Sequence, residues 1–376
     1  MDIQAVEPRE RVLTIRWSDA STTDFPYLFL RDNDPCGFHP QTQERIFDLL
    51  SVPEDLKPSK IAVEDDALVF DWEADTPHRT VLDAVWLADH RPGRRAPDPA
   101  DIEAVSWGAE FLHHLPRHAA DSLLGSGSAM RDWLTGLKRD GLSVVTGLAD
   151  SEEAGIEFGK AIGFLRRTNF GETFRVETKP DPNNLAYTSH ALPLHTDLPN
   201  QEMPPGFQFL HCVRNDAAGG GSVFLDSFRI AERLRDDDPY AFDLLSTVPI
   251  PYRFQDREFD IRADRPLIGL DERGRLFDVR YSAHLTDTFH MEGDVMVDYY
   301  KAYRKFMAAT RDPADTIAFK LGAGEMVVFD NRRVLHGRHA FNPATGHRLL
   351  RGFYIDRGEI DSRIRKLSQF STEGQP

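Results

Sequence analysis

Three side chains, two of them far from the third along the chain, limit the available folds more than any other feature. His195 and Asp197 stand two residues apart in Ala191-Leu-Pro-Leu-His-Thr-Asp-Leu-Pro199. On an extended strand, residues i and i+2 project from the same face, so both can reach one cation. Two ligands do not complete a site. His336 lies far downstream in Val327-Val-Phe-Asp-Asn-Arg-Arg-Val-Leu-His-Gly-Arg338, just past an apolar run. Two histidines and one carboxylate with open positions are the ligand set of non-haem Fe(II). In a chain with 14 His, a single His-x-Asp carries little weight, and His190 and His211 read equally well as core or surface histidines. His195 is lifted by its company.

The pattern along the chain supplies strands to carry these residues. Arg11-Val-Leu-Thr-Ile-Arg-Trp17 alternates, a Ser-Asp-Ala-Ser turn follows, and Phe25-Pro-Tyr-Leu-Phe-Leu-Arg31 reads as a returning strand. Further short strands are expected at 60–64, 67–72 and 79–82. Together they predict a small N-terminal β domain over residues 1–95. Arg91-Pro-Gly-Arg-Arg-Ala-Pro-Asp-Pro99 breaks regular structure and opens a polar linker over 96–125. The second domain, 126–376, begins with a helix over 129–138 and a buried strand at 141–147. A further helix is expected over 151–163, with an N-cap Ser and early acids. Strands are expected at 184–188, 206–213 and 222–226, with a Gly219-Gly-Gly221 turn. Helices follow at 228–235 and 239–246, and a long amphipathic one at 296–307. Strands recur near 252, 267, 276–281, 317–320, 325–329 and 348–355. A mostly β chain with flanking helices fits an antiparallel barrel or jelly roll.

Composition narrows the function classes. A net charge of −16 argues against nucleic acid and against an anionic membrane surface. A cationic or zwitterionic small molecule stays open as partner. Two cysteines, Cys36 and Cys212, cannot make a disulfide framework. The N-terminal stretch has no basic segment leading into an apolar run, and no window reaches membrane-span length. A cytoplasmic protein is the expectation.

Twelve residues past His336, Arg348 opens the last apolar strand. A guanidinium beside an iron site can grip the far carboxylate of a 2-oxoacid in bidentate fashion. With these pieces in order, the chain resembles the clavaminate synthase-like TauD/TfdA group of Fe(II)/2-oxoglutarate dioxygenases. More narrowly it resembles the γ-butyrobetaine and trimethyllysine hydroxylases. The resemblance runs nearly end to end. It is carried by Tyr27-Leu-Phe-Leu-Arg-Asp-Asn33, Asn183-Asn-Leu-Ala-Tyr-Thr188, His195-Thr-Asp-Leu-Pro199, Pro204-Pro-Gly-Phe-Gln-Phe-Leu-His-Cys212, Phe329 to Arg338, and Arg348-Leu-Leu-Arg-Gly-Phe-Tyr354. It implies a double-stranded β-helix holding iron by His195, Asp197 and His336. It implies that Arg348 binds 2-oxoglutarate, assisted by Ser222 and the backbone of Leu210. It also implies O2 as the oxidant, succinate and CO2 as products, and a homodimer.

The resemblance implies an aromatic cage at Phe170, Phe174, Tyr187 and Tyr354, which suits a quaternary ammonium that has no hydrogen bond to give. Asn184 is expected at the substrate's anionic end. Leu198 stands where the butyrobetaine enzymes tend to carry Tyr. Arg280 replaces part of an Asn-rich run and would suit a more highly charged anion, which sets 2-(trimethylammonio)ethylphosphonate beside γ-butyrobetaine as a candidate. In the N-terminal module, Asp34, Cys36, His39 and His78 match a structural zinc site, with one Cys where the butyrobetaine group has three. Two rivals of other classes are a non-catalytic betaine-binding protein and a metal-dependent hydrolase using the same triad.

Overall fold

A computed structural model describes residues 2–73, 78–178 and 188–372, which fall into two compact units, Met1–Asp98 and Pro99–Pro376. The first unit has two three-stranded antiparallel sheets. One is β1 (Ile3–Pro8), β2 (Val12–Trp17) and β3 (Thr22–Pro26), which is followed by helix α1 (Tyr27–Asp32). The other is β4 (Pro58–Glu64), β5 (Ala67–Trp72) and β6 (Arg79–Asp83), followed by α2 (Ala84–Asp89). Leu13, Ile15 and Trp17 alternate inward along β2 and pack with Phe25, Phe70 and Trp72. The strand expected over 25–31 is corrected: it ends at Pro26, and Tyr27 begins a helix. Tyr27 and Leu30, three apart, are buried on one helical face. A continuous apolar run satisfies either period, so packing decided.

The second unit runs, in order, β7 (Arg117–Ala119), α3 (Ala120–Gly125), α4 (Gly127–Asp140), β8 (Leu142–Thr146), α5 (Glu152–Lys160), β9 (Thr173–Val176), β10 (Leu192–His195) and β11 (Phe207–Asn215). Next come β12 (Ala218–Gly219), β13 (Ser222–Asp226), α6 (Ser227–Asp237), α7 (Pro239–Thr247), β14 (Ile250–Gln255), β15 (Asp260–Arg265), β16 (Ile268–Leu270) and β17 (Leu276–Val279). The chain closes with α8 (Gly293–Ala309), β18 (Thr316–Phe319), β19 (Met326–Asp330), β20 (Val334–Arg338), β21 (Phe341–Asn342), β22 (Arg348–Ile355) and α9 (Arg357–Thr372). The expected linker over 96–125 holds regular structure from Ala109 onward. It carries a 3-10 helix (Ala109–His114), β7 and α3, and buries Ala100, Trp107, Ala120 and Leu123. Its polar composition hid these few apolar anchors.

Two sheets make the jelly roll. The larger has the order β7-β8-β19-β11-β22-β9, the smaller β10-β20-β13-β18. Along β11, Phe207 and Phe209 face a helical layer containing Trp133, Leu134, Phe158 and Ile360, while Leu210 and Cys212 face the interior with Phe224, Phe329 and Val334. This period-2 division is what a strand covered on both faces requires. The strand expected at 184–188 lies, except for Thr188, outside the described residues. No helix among the described residues is long and apolar enough to cross a membrane.

Candidate functional site

His195 closes β10 and is registered opposite His336 on β20, with ring centroids 4.3 Å apart. The register shifts between Leu192 and His195, an irregularity of the kind that re-aims side chains. Asp197 lies just beyond the strand, where Leu198 adopts φ +55°. A branched residue in that region costs roughly 1–2 kcal/mol, so other contacts must hold the turn. Asn331, fully buried between β19 and β20, supplies them. Its Oδ1 accepts the Asp197 N–H at 2.8 Å, and its Nδ2 donates to the carbonyls of Asp197 and Pro205, each at 3.1 Å. Arg333 anchors the same loop from below, donating to the Asp226 carboxylate at 2.6 Å and to the carbonyls of Val105 and Arg139.

The three ligand atoms lie within 4.8 Å of one another. Asp197 Oδ1 is 3.0 Å from His195 Nε2 and 3.6 Å from His336 Nε2. Its Oδ2 accepts from the Tyr354 hydroxyl at 2.7 Å. His195 Nδ1 is 2.9 Å from the Pro193 carbonyl, a contact that would keep the proton on Nδ1 and free Nε2 for a metal ion. Burial, and then the neighbouring His195, pushes His336 down to about 3, so its imidazole is neutral at pH 7. Burial alone would raise Asp197. His336, His195 and the Tyr354 hydroxyl outweigh it and hold the carboxyl far below its usual range. A lone pair and an anionic oxygen facing one another are unfavourable without a cation between them. The donor set of two nitrogens and one oxygen fits Fe(II).

Arg348 is buried at the start of β22. Among the described residues no carboxylate pairs with it, and its Nε has no hydrogen-bond partner. Burial, then Arg338, pushes its pKa down to about 10. Gly220, at φ +70°, sits where a Cβ would crowd Arg348 Nε at 3.3 Å, so a side chain there would press on the guanidinium. A buried unpaired cation is costly unless something anionic comes to it. Ser222 is buried at the start of β13, opposite Arg338 of β20. Leu210 is an interior residue of a central strand, opposite both Val327 and Gly352, so its backbone pairs within the ladder. It offers apolar surface.

The pocket beside the triad is walled by Phe170, Phe174, Phe254 and Tyr354, with Val176, Leu198, His284 and Leu285. Phe174 and Tyr354 lie 5.2 Å apart, and Phe170 meets Phe254 edge to face at 5.4 Å. Three of the expected pocket aromatics and Leu198 are therefore together. Asn184 and Tyr187 lie outside the described residues. Arg280 is not among the described residues that line this pocket: it is buried, donates to the carbonyls of Gln201 and Glu202 at 3.1 Å each, and lies 3.5 Å from Asp278. A larger cavity of about 610 Å³ lies elsewhere in the unit. Its Lys138, Arg275 and Arg357 are paired with Asp361, Asp271 and Asp330, and it contains none of the triad.

In the first unit, Asp34, Cys36 and His78 come together, and His39 does not. His78 Nε2 is 2.7 Å from Asp34 Oδ2 and 3.6 Å from Cys36 Sγ. The Thr80 hydroxyl also donates to Asp34. The His39 ring instead accepts the backbone N–H groups of Gln41 and Thr42, closing its own turn. Asn331, Phe254, His284 and Leu285 escaped the sequence reading. Asn331 had a signal, standing inside the run that carries His336. Phe254 and His284 had none, because only the fold brings β14 and the loop after β17 to the triad.

A family model described as taurine catabolism dioxygenase TauD, TfdA family matches residues 104–354, and one described as gamma-butyrobetaine hydroxylase-like, N-terminal matches residues 5–87. The chain is 38% identical over 366 residues to a gamma-butyrobetaine dioxygenase of Pseudomonas sp. (strain AK-1), covering 95% of this chain and 94% of that one. It is 29% identical over 375 residues to the gamma-butyrobetaine dioxygenase of Homo sapiens, covering 95% of each. Among solved structures, asparagine oxygenase in complex with Fe(II) aligns at a TM-score of 0.50 and 20% identity, covering 63% of this chain and 83% of that one. That likeness concerns the fold.

Proposed function

The chain belongs to the taurine catabolism dioxygenase TauD, TfdA family, and on that premise we propose that it is an Fe(II)- and 2-oxoglutarate-dependent hydroxylase of a small quaternary-ammonium zwitterion of the γ-butyrobetaine kind. One observation carries the reading: an aromatic-walled pocket opens directly onto the His195, Asp197 and His336 cluster. Iron held by those three side chains would activate O2 and couple decarboxylation of 2-oxoglutarate, to succinate and CO2, with hydroxylation of a substrate C–H bond. Arg348 would bind the far carboxylate of 2-oxoglutarate, gaining the anionic partner its buried guanidinium lacks among the described residues. Phe170, Phe174, Phe254 and Tyr354 would hold the trimethylammonium head by their ring faces. Fixing the head fixes which carbon faces the metal, so regiochemistry is a matter of positioning. Asn331 keeps the Asp197 carboxylate aimed, and Tyr354 fixes its second oxygen.

Arg280 was the residue that favoured a phosphonate, and it is not among the described residues lining the pocket, so a carboxylate zwitterion is retained. A non-catalytic betaine-binding protein would need neither the triad nor Arg348. We place the protein in the cytoplasm as a homodimer, on the strength of its two unpaired cysteines and its family. Oxygen consumption with iron, ascorbate and 2-oxoglutarate should rise on adding γ-butyrobetaine, and Asp197→Ala should abolish the substrate-dependent succinate. Undiminished turnover in that variant would overturn the triad. No stimulation by any trimethylammonium compound would overturn the substrate class.

A further inference from the structure

The pocket is mostly apolar, and its few polar groups are nearly all engaged. His195 and Asp197 belong to the triad, and the Tyr354 hydroxyl donates to Asp197. Among the described lining residues, the remaining polar side chain is His284, in the loop after β17. Its ring meets that of His195 edge to face at 5.1 Å, yet it is not among the groups that converge on the metal position. Solvent reaches it. Ser282 Oγ lies 3.4 Å from both ring nitrogens and can engage only one of them well. When the Ser282 hydroxyl donates to one nitrogen, the imidazole proton sits on the other and is left to donate to a ligand.

A zwitterion of the proposed kind has two ends with opposite needs. The cationic head has no N–H to give and is held by aromatic faces. The carboxylate loses water on entering an apolar chamber and needs a donor there. Arg280 is not among the described residues that line the pocket, and its guanidinium is turned to the carbonyls of Gln201 and Glu202 and to Asp278. We infer that His284 is a specificity-determining residue that donates a hydrogen bond to the anionic end of the substrate. The inference rests on the proposed function and deepens it. A single imidazole N–H suits a monoanionic carboxylate better than a phosphonate, which calls for more donors.

The test is anaerobic binding to the iron- and 2-oxoglutarate-loaded protein, followed by calorimetry. The ligands are γ-butyrobetaine and butyltrimethylammonium, which keeps the head and chain and lacks the carboxylate. His284→Ala should weaken γ-butyrobetaine about 10- to 100-fold, the effect of removing a hydrogen bond to a charged group. It should change butyltrimethylammonium by less than about threefold, since the cage is left intact. Affinity for 2-oxoglutarate should be unchanged, which reports an intact site. His284→Gln, which restores a donor, should recover much of the loss. Equal weakening of both ligands, or of neither, overturns the assignment while leaving the proposed function standing. If the unaltered protein binds both ligands no better than a neutral isostere, the quaternary-ammonium reading fails and this inference falls with it.

Discussion

Tyr354→Phe separates the two tasks that one side chain performs. The ring forms a pocket wall 5.2 Å from Phe174, while the hydroxyl donates to Asp197 Oδ2 at 2.7 Å. Phenylalanine keeps the wall and removes the donor. A hydrogen bond to a charged acceptor is worth about 1.5–3 kcal/mol, and each 1.4 kcal/mol is tenfold in affinity. Fe(II) should therefore bind about 10- to 100-fold more weakly, the range usual for groups that orient a metal ligand. The hydroxyl is one of the influences holding the Asp197 carboxyl low, so its loss raises that pKa. Protons then compete with the metal at a higher pH, and iron should leave earlier on acidification than in the unaltered protein. At saturating iron, the affinity for a trimethylammonium ligand should stay within about threefold, because a phenyl face still offers the cation–π contact. Tyr354→Leu should lose both. Equilibrium dialysis of metal-stripped protein against Fe(II), repeated across pH, measures the first effect, and anaerobic ligand titration measures the second. Iron affinity within twofold of the original would refute the hydrogen-bond argument. A Phe variant as poor in ligand binding as the Leu variant would refute the wall.

Three further outcomes are expected. A Cβ at Gly352 would collide with the Phe174 ring across β22 and β9, so Gly352→Ala should cost about 1–3 kcal/mol in urea unfolding and raise KM for the quaternary ammonium while iron binding holds. Arg348→Ala should raise KM for 2-oxoglutarate by about 30-fold or more, as for loss of one partner of a buried charge pair; a change under threefold would count against its role. Burial pushes the Cys212 thiol up to about 11; burial and the Asp34 carboxylate also raise the Cys36 thiol, but Cys36 is exposed. At pH 8 only about one Cys212 in a thousand would be thiolate, so chelator-treated native protein should show one rapidly reacting thiol, and a second only in denaturant. Protection of that first thiol by added zinc would support a metal at Asp34, Cys36 and His78, and two fast thiols would show that Cys212 is not buried.

Much of the catalytic unit was legible because its signals are local. Alternating apolar residues announced most of the strands, and His195, Asp197, His336 and Arg348 stood beside runs that could only be buried. The polar strand Asp260–Arg265 was missed because its pairing with Ile250–Gln255 is a nonlocal property. The helix Tyr27–Asp32 was misread because an unbroken apolar run fits two periods. Residues 96–125 looked like linker because four buried side chains are few in a polar stretch.

What the sequence determined by itself is which chemistry is available: a facial ligand set, a cation for a 2-oxoacid, and enough aromatic side chains for a cage. What only the tertiary structure decided is which polar groups remain free to act. Arg280 and His284 are four residues apart, and of the two the sequence offered only Arg280 as a partner for an anion. The fold buries Arg280 against two backbone carbonyls and Asp278, and leaves His284 at the open pocket beside His195. Residue type sets what a side chain can donate, and the partners the fold brings to it set what it has left to give.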